Sequence, residues 1–458
     1  MYYDSTISAR DMYLTEEERA KSLEIVENYM LYSGEYGRVL KIFENQRDKN
    51  QSLEVVMNIS GAISRIFADL VFLHPVDIGH SDAKVEEVID EIAYRSNFDV
   101  MLWESAIAQS YAGFAVFKAR KLNDGKVVIE EVQPSIVFPR FNRRNINSTP
   151  EEVIISYEVE LEGDKSKYAY FERHTAGLIE YKLMEIDKHG QMIAQAPIAL
   201  FDQSLPNSEQ TGLDYIPIWI VRNPKTGAEK FGVSDYRDMR SMLTELTRCM
   251  SQIATGLRNT GNALLVVPTG VLDERGRVHR DQLGMIEIDA NEGDTVIPQY
   301  ITNSNPQTDM AFQQIESLVL SIARVTEVSS ILIDMNVSGG VEKVGALRLR
   351  LMRTLAKVRR KSKFYEKALK DMLAKTYEWE TGKKLDPREI TLTFHNGLPE
   401  DMLQMIQEES LRITAGLQSR KDALRRLDGI DGEMLEQKLE EIADDSRADF
   451  TQTPAFNL

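Results

Sequence analysis

Apolar residues in the first hundred positions recur at helical spacing. Thr15-Glu16-Glu17-Glu18 has the hydroxyl-then-glutamate spacing of a capping box and predicts a helix running to about Leu31. Tyr32-Ser33-Gly34-Glu35-Tyr36 reads as an aromatic-rich turn. Leu53–Leu73 puts Val56, Ile59, Ile63, Ile66 and Leu70 on one stripe and stops before Pro75, since the residue ahead of a proline avoids the helical region. Val85–Tyr94 and Phe98–Ser110 follow as helices, the second expected to bury Val100, Trp103 and Ile107. The period then drops to two. Phe114–Ala119 and Lys126–Val132 flank Asn123-Asp124-Gly125, a tight hairpin signal. Val153–Leu161, Tyr168–His174, Leu178–Asp187 and Gln191–Ala196 continue as alternating strands, and Pro217–Val221 reads as a buried one.

Helical spacing returns after Phe231-Gly232-Val233-Ser234. Ser234 is a natural N-cap, and Asp235 and Asp238 would place negative charge in the first turn. Tyr236, Met239, Leu243, Leu246, Met250, Ile253 and Leu257 alternate steps of three and four, a heptad seam that packs on a neighbouring helix. About 25 residues make a rod of roughly 37 Å. A second helix after Pro306 carries Phe312, Ile315, Val319, Ile322 and Val325 on one stripe. The insert between them, Gly261 to Asn305, reads as strands Ala263–Val267, Met285–Asp289 and Thr295–Pro298. This suggests a stalk with a tip; an αα-hairpin with a large loop inside an ordinary core fits the same spacing. Ile331-Leu332-Ile333 then precedes Asp334, Met335, Asn336, Val337, Ser338, Gly339 and Gly340, a glycine-ended loop or a short strand and turn. A long helix from Glu342 to Thr381 closes at Gly382, with Val344, Leu347, Leu351, Leu355, Val358 and Phe364 on its apolar side. Ile390–Phe394 is a strand, Pro399–Leu427 and Glu433–Asp444 are helical, and Ser446–Leu458 is a loose tail. The fold class is α+β.

Composition narrows the function. The chain has 458 residues, 42% hydrophobic and 28% charged, enough for two or three domains. Its single cysteine, Cys249, cannot form an internal disulfide, which fits a reducing compartment. Met1 to Arg10 is polar, so no signal peptide is expected, and no apolar run is long enough to span a membrane. The net charge of −17 argues against a general nucleic-acid coat. Yet Lys343 to Lys375 holds twelve basic and two acidic residues, +10 net, leaving −27 elsewhere. That helix is either a surface for phosphates or a face paired with acidic neighbours. No catalytic motif stands out. Six histidines are scattered, no GxSxG occurs, and the glycine pair Gly340 and Gly345 runs on into Ala346-Leu347, without the lysine and hydroxyl a phosphate loop needs. No cofactor is expected. A metal site built from dispersed carboxylates stays open.

Several pieces, in order, resemble the portal proteins of tailed double-stranded DNA bacteriophages over nearly the whole chain. They are the Tyr32–Tyr36 turn, the α+β body, and Trp219, Asn223 and Phe231-Gly232-Val233-Ser234-Asp235-Tyr236 entering a long helix. The helix–β–helix insertion follows, then Arg324-Val325-Thr326 before a loop, then Gly345-Ala346-Leu347-Arg348 opening a basic helix. The family often has Gly and Pro just after that threonine, where this chain has Glu327 and Ser329.

The resemblance implies a portal-type subunit. Its wing would comprise 1–233 and 342–398, its stem 234–259 and 306–326, its clip 260–305, its tunnel loop 327–341, its crown 399–446, with a tail at 447–458. It implies a homo-oligomeric ring, a dodecamer, at one capsid vertex of the virion, assembled in the bacterial cytoplasm, through which double-stranded DNA is packaged and ejected. The implied partners are the terminase large subunit, a head-completion adaptor, and the scaffolding and major capsid proteins, with no membrane and no catalysis. Asp334–Gly340 would line the tunnel. Lys343, Arg348, Arg353, Lys357 and Arg360 would touch phosphates, and the seam residues would meet a neighbouring subunit's helix. Asp273, Glu274, Arg275, Arg277, His279 and Arg280 would form the clip's docking turn. Two other readings compete: a capsid adaptor that never touches DNA, and a DNA-processing enzyme whose basic helix binds substrate.

Overall fold

The computed structural model describes residues 14–40, 55–142, 149–161, 166–187, 192–225, 229–260, 264–268, 285–288, 299–301, 306–333, 344–395, 402–428, 435, 438–440 and 442. The chain divides into two units: Met1–Val341 with Arg348–Gly397, and Glu342–Leu347 with Leu398–Leu458.

The first unit opens with three helices: α1 (Glu16–Ser33), α2 (Tyr36–Leu40) and α3 (Ile59–Phe72). The capping box is present: the Glu18 amide donates to Thr15 Oγ1 (3.3 Å) and the Thr15 amide to Glu18 Oε2 (2.7 Å). α3 is shorter than its apolar stripe, because Asn58 caps it by accepting from the Gly61 amide (3.0 Å). After β1 (Asp77–Gly79) come α4 (Ala83–Arg95) and α5 (Phe98–Ala112). α5 turns out differently from its sequence reading. It packs against α1, α3 and the strands that follow it, so Met101, Leu102, Ser105, Ala106, Ala108 and Gln109 are buried. Ile107 is buried as well, but Val100 points to solvent and Trp103 is half-exposed, donating to Asp69 Oδ1 (2.8 Å).

The hairpin of β2 (Phe114–Lys121) and β3 (Val127–Glu131) turns at Gly125 with φ 85°, a left-handed conformation that glycine adopts without strain. The antiparallel meander is β4 (Val137–Phe141), β5 (Pro150–Glu160), β6 (Lys167–Thr175), β7 (Leu178–Ile186) and β8 (Met192–Ala196), with β9 (Ser208–Gln210) also on β7. β10 (Ile218–Arg222) pairs with β2, giving the order β10-β2-β3. A buried ion pair ties the two sheets: Lys118 of β2 to Glu172 of β6 (2.6 Å), where Glu172 also shares a hydrogen bond with His174 (2.7 Å).

Then follow α6 (Arg240–Thr260), β11 (Leu264–Pro268), β12 (Met285–Ile288), β13 (Gln299–Ile301) and α7 (Pro306–Thr326). α6 and α7 pack on each other, and β11 lies between a parallel β12 and an antiparallel β13. The expected strand Thr295–Pro298 lies outside the described residues. α8 (Val344–Thr381) is the longest helix described and ends at Gly382, φ 73°. β14 (Thr391–Thr393) returns to pair with β1. In the second unit α9 (Met402–Thr414) packs on α10 (Arg420–Asp428); most of Glu433–Asp444 lies outside the described residues. The architecture is α+β. Among the described residues no helix is long and apolar enough to cross a membrane.

Candidate functional site

The entry to α6 is a tight backbone crossing. Gly113, at φ 89°, and Gly232 pass so close that a Cβ on Gly232 would sit 1.8 Å from the Gly113 carbonyl oxygen. The Asn223 amide donates to that same carbonyl (2.8 Å). This crossing sets the path of Ser234 and Asp235. Ser234 accepts from the Tyr236 amide (3.1 Å), a capping contact, but regular helix begins only at Arg240. Asp235 is not a solvent-facing charge in a first turn. Its side chain is 4% exposed and sits between two lysines of α8.

Lys357 Nζ lies 2.8 Å from Asp235 Oδ1, and Lys361 Nζ 3.0 Å from Oδ2. Ser110 Oγ (2.8 Å) and Asn223 Nδ2 (3.0 Å) also donate to the carboxylate. Lys361 donates further to Asn223 Oδ1 (2.7 Å) and Gln109 Oε1 (3.3 Å), and the Phe67 ring lies under both ammonium groups. Burial by itself would push the Asp235 carboxyl up. The two lysines outweigh it and hold the group well below the usual carboxylate range. Burial, reinforced by Lys357, draws Lys361 down to about 8 against the pull of Asp235.

The same helix holds the far end of the excursion. Lys357 Nζ also donates to the Thr326 carbonyl oxygen (2.8 Å), at the last residue of α7. Thr354 Oγ1 donates to the Glu327 carbonyl (3.0 Å) and accepts from the Ser329 amide (2.8 Å). Arg360 pairs with Glu327 Oε2 (2.6 Å), with Arg353 4.0 Å away. Glu327 itself has φ 61°, and its carboxylate is held by this arginine pair. Residues 353, 354, 357, 360 and 361 share one face of α8, so one helix grips both ends of the α6–β–α7 excursion.

Of the residues expected to touch phosphates, Arg353 and Arg360 are exposed along one side of α8. Lys357 is turned inward, its ammonium engaged by Asp235 and Thr326, which leaves it no route to a phosphate. Arg348 is in α8, its side chain outside the described residues; Lys343, Asp334–Gly340 and the turn Asp273–Arg280 lie outside them too. Along the seam, Tyr236, Met239, Leu243 and Leu246 are at most 1% exposed and are covered by this chain's own elements. Met250 and Ile253 are half-buried, and the Leu257 side chain lies outside the described residues. The apolar residues left to a partner are on α7 instead: Met310, Phe312 and Val325 are exposed, while Ile315 and Ile322 are buried.

Sequence reasoning missed the Asp235–Lys357–Lys361 cluster. A signal existed: Lys361 stands three residues after Val358 and four before Tyr365, a seam position, and a charge there asks for a buried counter-charge. Burial, then the Glu245 charge, pushes the Cys249 thiol up, the reverse of an activated nucleophile. Among the described residues no group of three or more His, Cys, Asp or Glu side chains is placed to hold a metal ion.

This fold, an α+β body gripping a two-helix excursion with a β tip, is that of a portal-type subunit. The family model for phage portal proteins, SPP1 Gp6-like, matches residues 11–448, and the chain belongs to that family. Among solved structures it is similar to a chain of the virion of a native gene transfer agent particle, at 11% identity, TM-score 0.43, covering 86% of this chain and 93% of that one. It is also similar to a chain from the neck of an empty gene transfer agent particle computed with C6 symmetry, at 12% identity, TM-score 0.46, covering 81% and 90%. No curated protein matches the chain significantly.

Proposed function

We propose that copies of this chain close into a ring at one capsid vertex, through which double-stranded DNA enters and leaves the virion. The observation that carries the reading is the grip of α8 on both ends of the excursion, in a chain of the portal family. A stem that must hold its place around moving DNA needs both roots fixed to the body, and a buried, fully hydrogen-bonded charge cluster fixes geometry in a way that apolar contacts do not. In this reading α6 and α7 are stem, the strands β11 to β13 clip, and residues 334–340 the narrowest part of the tunnel. The clip turn Asp273–Arg280 docks the packaging motor and later the head-completion adaptor. Arg353 and Arg360, with Lys343 and Arg348, are the phosphate contacts; Lys357 serves the grip. The remainder of the chain, at −27, neutralises few phosphates at any depth, so DNA slides rather than sticks.

Native mass spectrometry of the purified full chain, with negative-stain images of the same sample, tests this. A closed ring with a central hole supports the reading. A protein that stays monomeric at every concentration sinks it. DNA packaging unimpaired by charge reversal at Arg353 and Arg360 would favour an adaptor without a DNA role.

A further inference from the structure

Away from the junction, two surface features of the first unit fit each other. One is a cleft of about 1040 Å³ between β10 and the middle of α8. Phe141, Tyr215, Trp219 and Phe364 line it, with Lys363 and Lys367 at its rim. Trp219 is fixed in place by donating to Asp371 Oδ2 (2.8 Å), and Phe364 is 39% exposed. Lys363 and Lys367 are exposed, one helical turn apart, and neither pairs with a carboxylate among the described residues. Like charges at that spacing repel, and an acidic partner would relieve them.

The other feature is α4. Ile89 and Ile92 bury one side of it. The opposite side carries Glu87, Asp90, Glu91 and Tyr94, at positions i, i+3, i+4 and i+7. The three carboxylates have no ion-pair partner among the described residues, and Tyr94 is 89% exposed, a large aromatic standing clear of the body. Partial desolvation and then the Glu86 charge push the Asp90 carboxyl up, as crowded carboxylates without a cation do. Glu87 and Tyr94 are about 10 Å apart along the helix, and Lys363 and Lys367 about 6 Å, so the acidic patch spans the basic one.

The two features lie at opposite edges of one sheet. In the order β10-β2-β3 the cleft borders β10, whereas α4 packs on β3. A chain with complementary patches on opposite sides joins head to tail, and such contacts close into rings when the rotation between copies permits. We propose that α4 of one copy docks in the cleft of the next, Tyr94 entering among the aromatic side chains while Glu87, Asp90 and Glu91 meet Lys363 and Lys367. The proposal rests on the ring reading above and names the contact that builds it. An aromatic anchor in a pocket with a charged rim is the usual arrangement of a strong interface.

The test uses the full-length chain and reads the assembled fraction by native mass spectrometry at fixed concentration. Tyr94→Ala, the pair Glu87→Lys with Glu91→Lys, and the pair Lys363→Glu with Lys367→Glu should each lower that fraction at least about tenfold, the size of change expected for a central interface residue. The two charge-reversed pairs combined in one chain should restore it. If the wild type assembles and every variant assembles equally well, the docking is overturned and the ring reading stands. If the wild type never assembles, both fall. Should a variant fail to fold by circular dichroism, carbodiimide crosslinking of mixed ¹⁴N and ¹⁵N wild-type protein decides. Mixed-isotope links from Lys363 or Lys367 to Glu87, Asp90 or Glu91 support the docking, and assembled protein without them overturns it.

Discussion

Asp235 shows how one side chain can root a whole element. It is a single buried carboxylate holding two buried ammonium groups, so removing it leaves two unpaired charges in an apolar setting. Asp235→Asn should cost about 3–5 kcal/mol, read as a lowered urea midpoint with an unchanged slope. The site also has a pH signature. Lys361 titrates at about 8 in the folded chain against 10.5 when unfolded. Across that window the native state binds fewer protons at this residue than the unfolded state, so its contribution to stability rises with pH. The stability of the wild type should therefore climb more steeply between pH 8 and 10.5 than that of Lys361→Met, measured by urea unfolding at each pH. Asp235 acts at the other end. Its depressed value gives stability that is fully present above 3.8 and is lost as pH falls toward the native value.

At the scale of elements, the crossing before α6 and the grip after α7 do different work. The crossing depends on the absence of a side chain. Gly232→Ala would drive a methyl into the Gly113 carbonyl, where only backbone can yield, and should destabilise by about 3 kcal/mol or more in thermal unfolding. The grip depends on directed hydrogen bonds. Thr354→Val keeps the volume but strips the Ser329 amide of its acceptor and the Glu327 carbonyl of its donor. Hydrogen exchange at Ser329 should then speed up at least about tenfold, the equivalent of roughly 1.4 kcal/mol, with amides in the middle of α8 unchanged.

At the scale of the molecule, charge separation is the organising feature. The +10 segment is not one surface. Lys357 and Lys361 face inward and brace the stem, Arg353 and Arg360 border the exit of α7, and Lys363 and Lys367 rim the cleft. These three roles are separable by experiment. Replacing Arg353 and Arg360 with glutamine should leave assembly intact. It should also make the slope of log affinity for duplex DNA against log salt shallower, by about one for each phosphate these arginines neutralise.

Much was legible in the chain. Period-two and period-3.6 patterning, the capping box, the Asn-Asp-Gly turn and the closing Gly382 located most strands and helices to within a few residues, because each depends on interactions between residues close in sequence. The α+β class and the portal order of elements follow from these. The candidate site was not legible in the same way. Asp235 looked like a helix-dipole residue and Lys357 like a phosphate contact, since sequence shows charge but not which face a neighbour more than a hundred residues away will cover. The heptad seam of α6 was read correctly as an apolar stripe, yet packing within the chain consumes its first half. Local sequence determined the elements. Long-range packing, by removing water from particular charges, decided which of them brace the fold and which remain at the surface to meet something else.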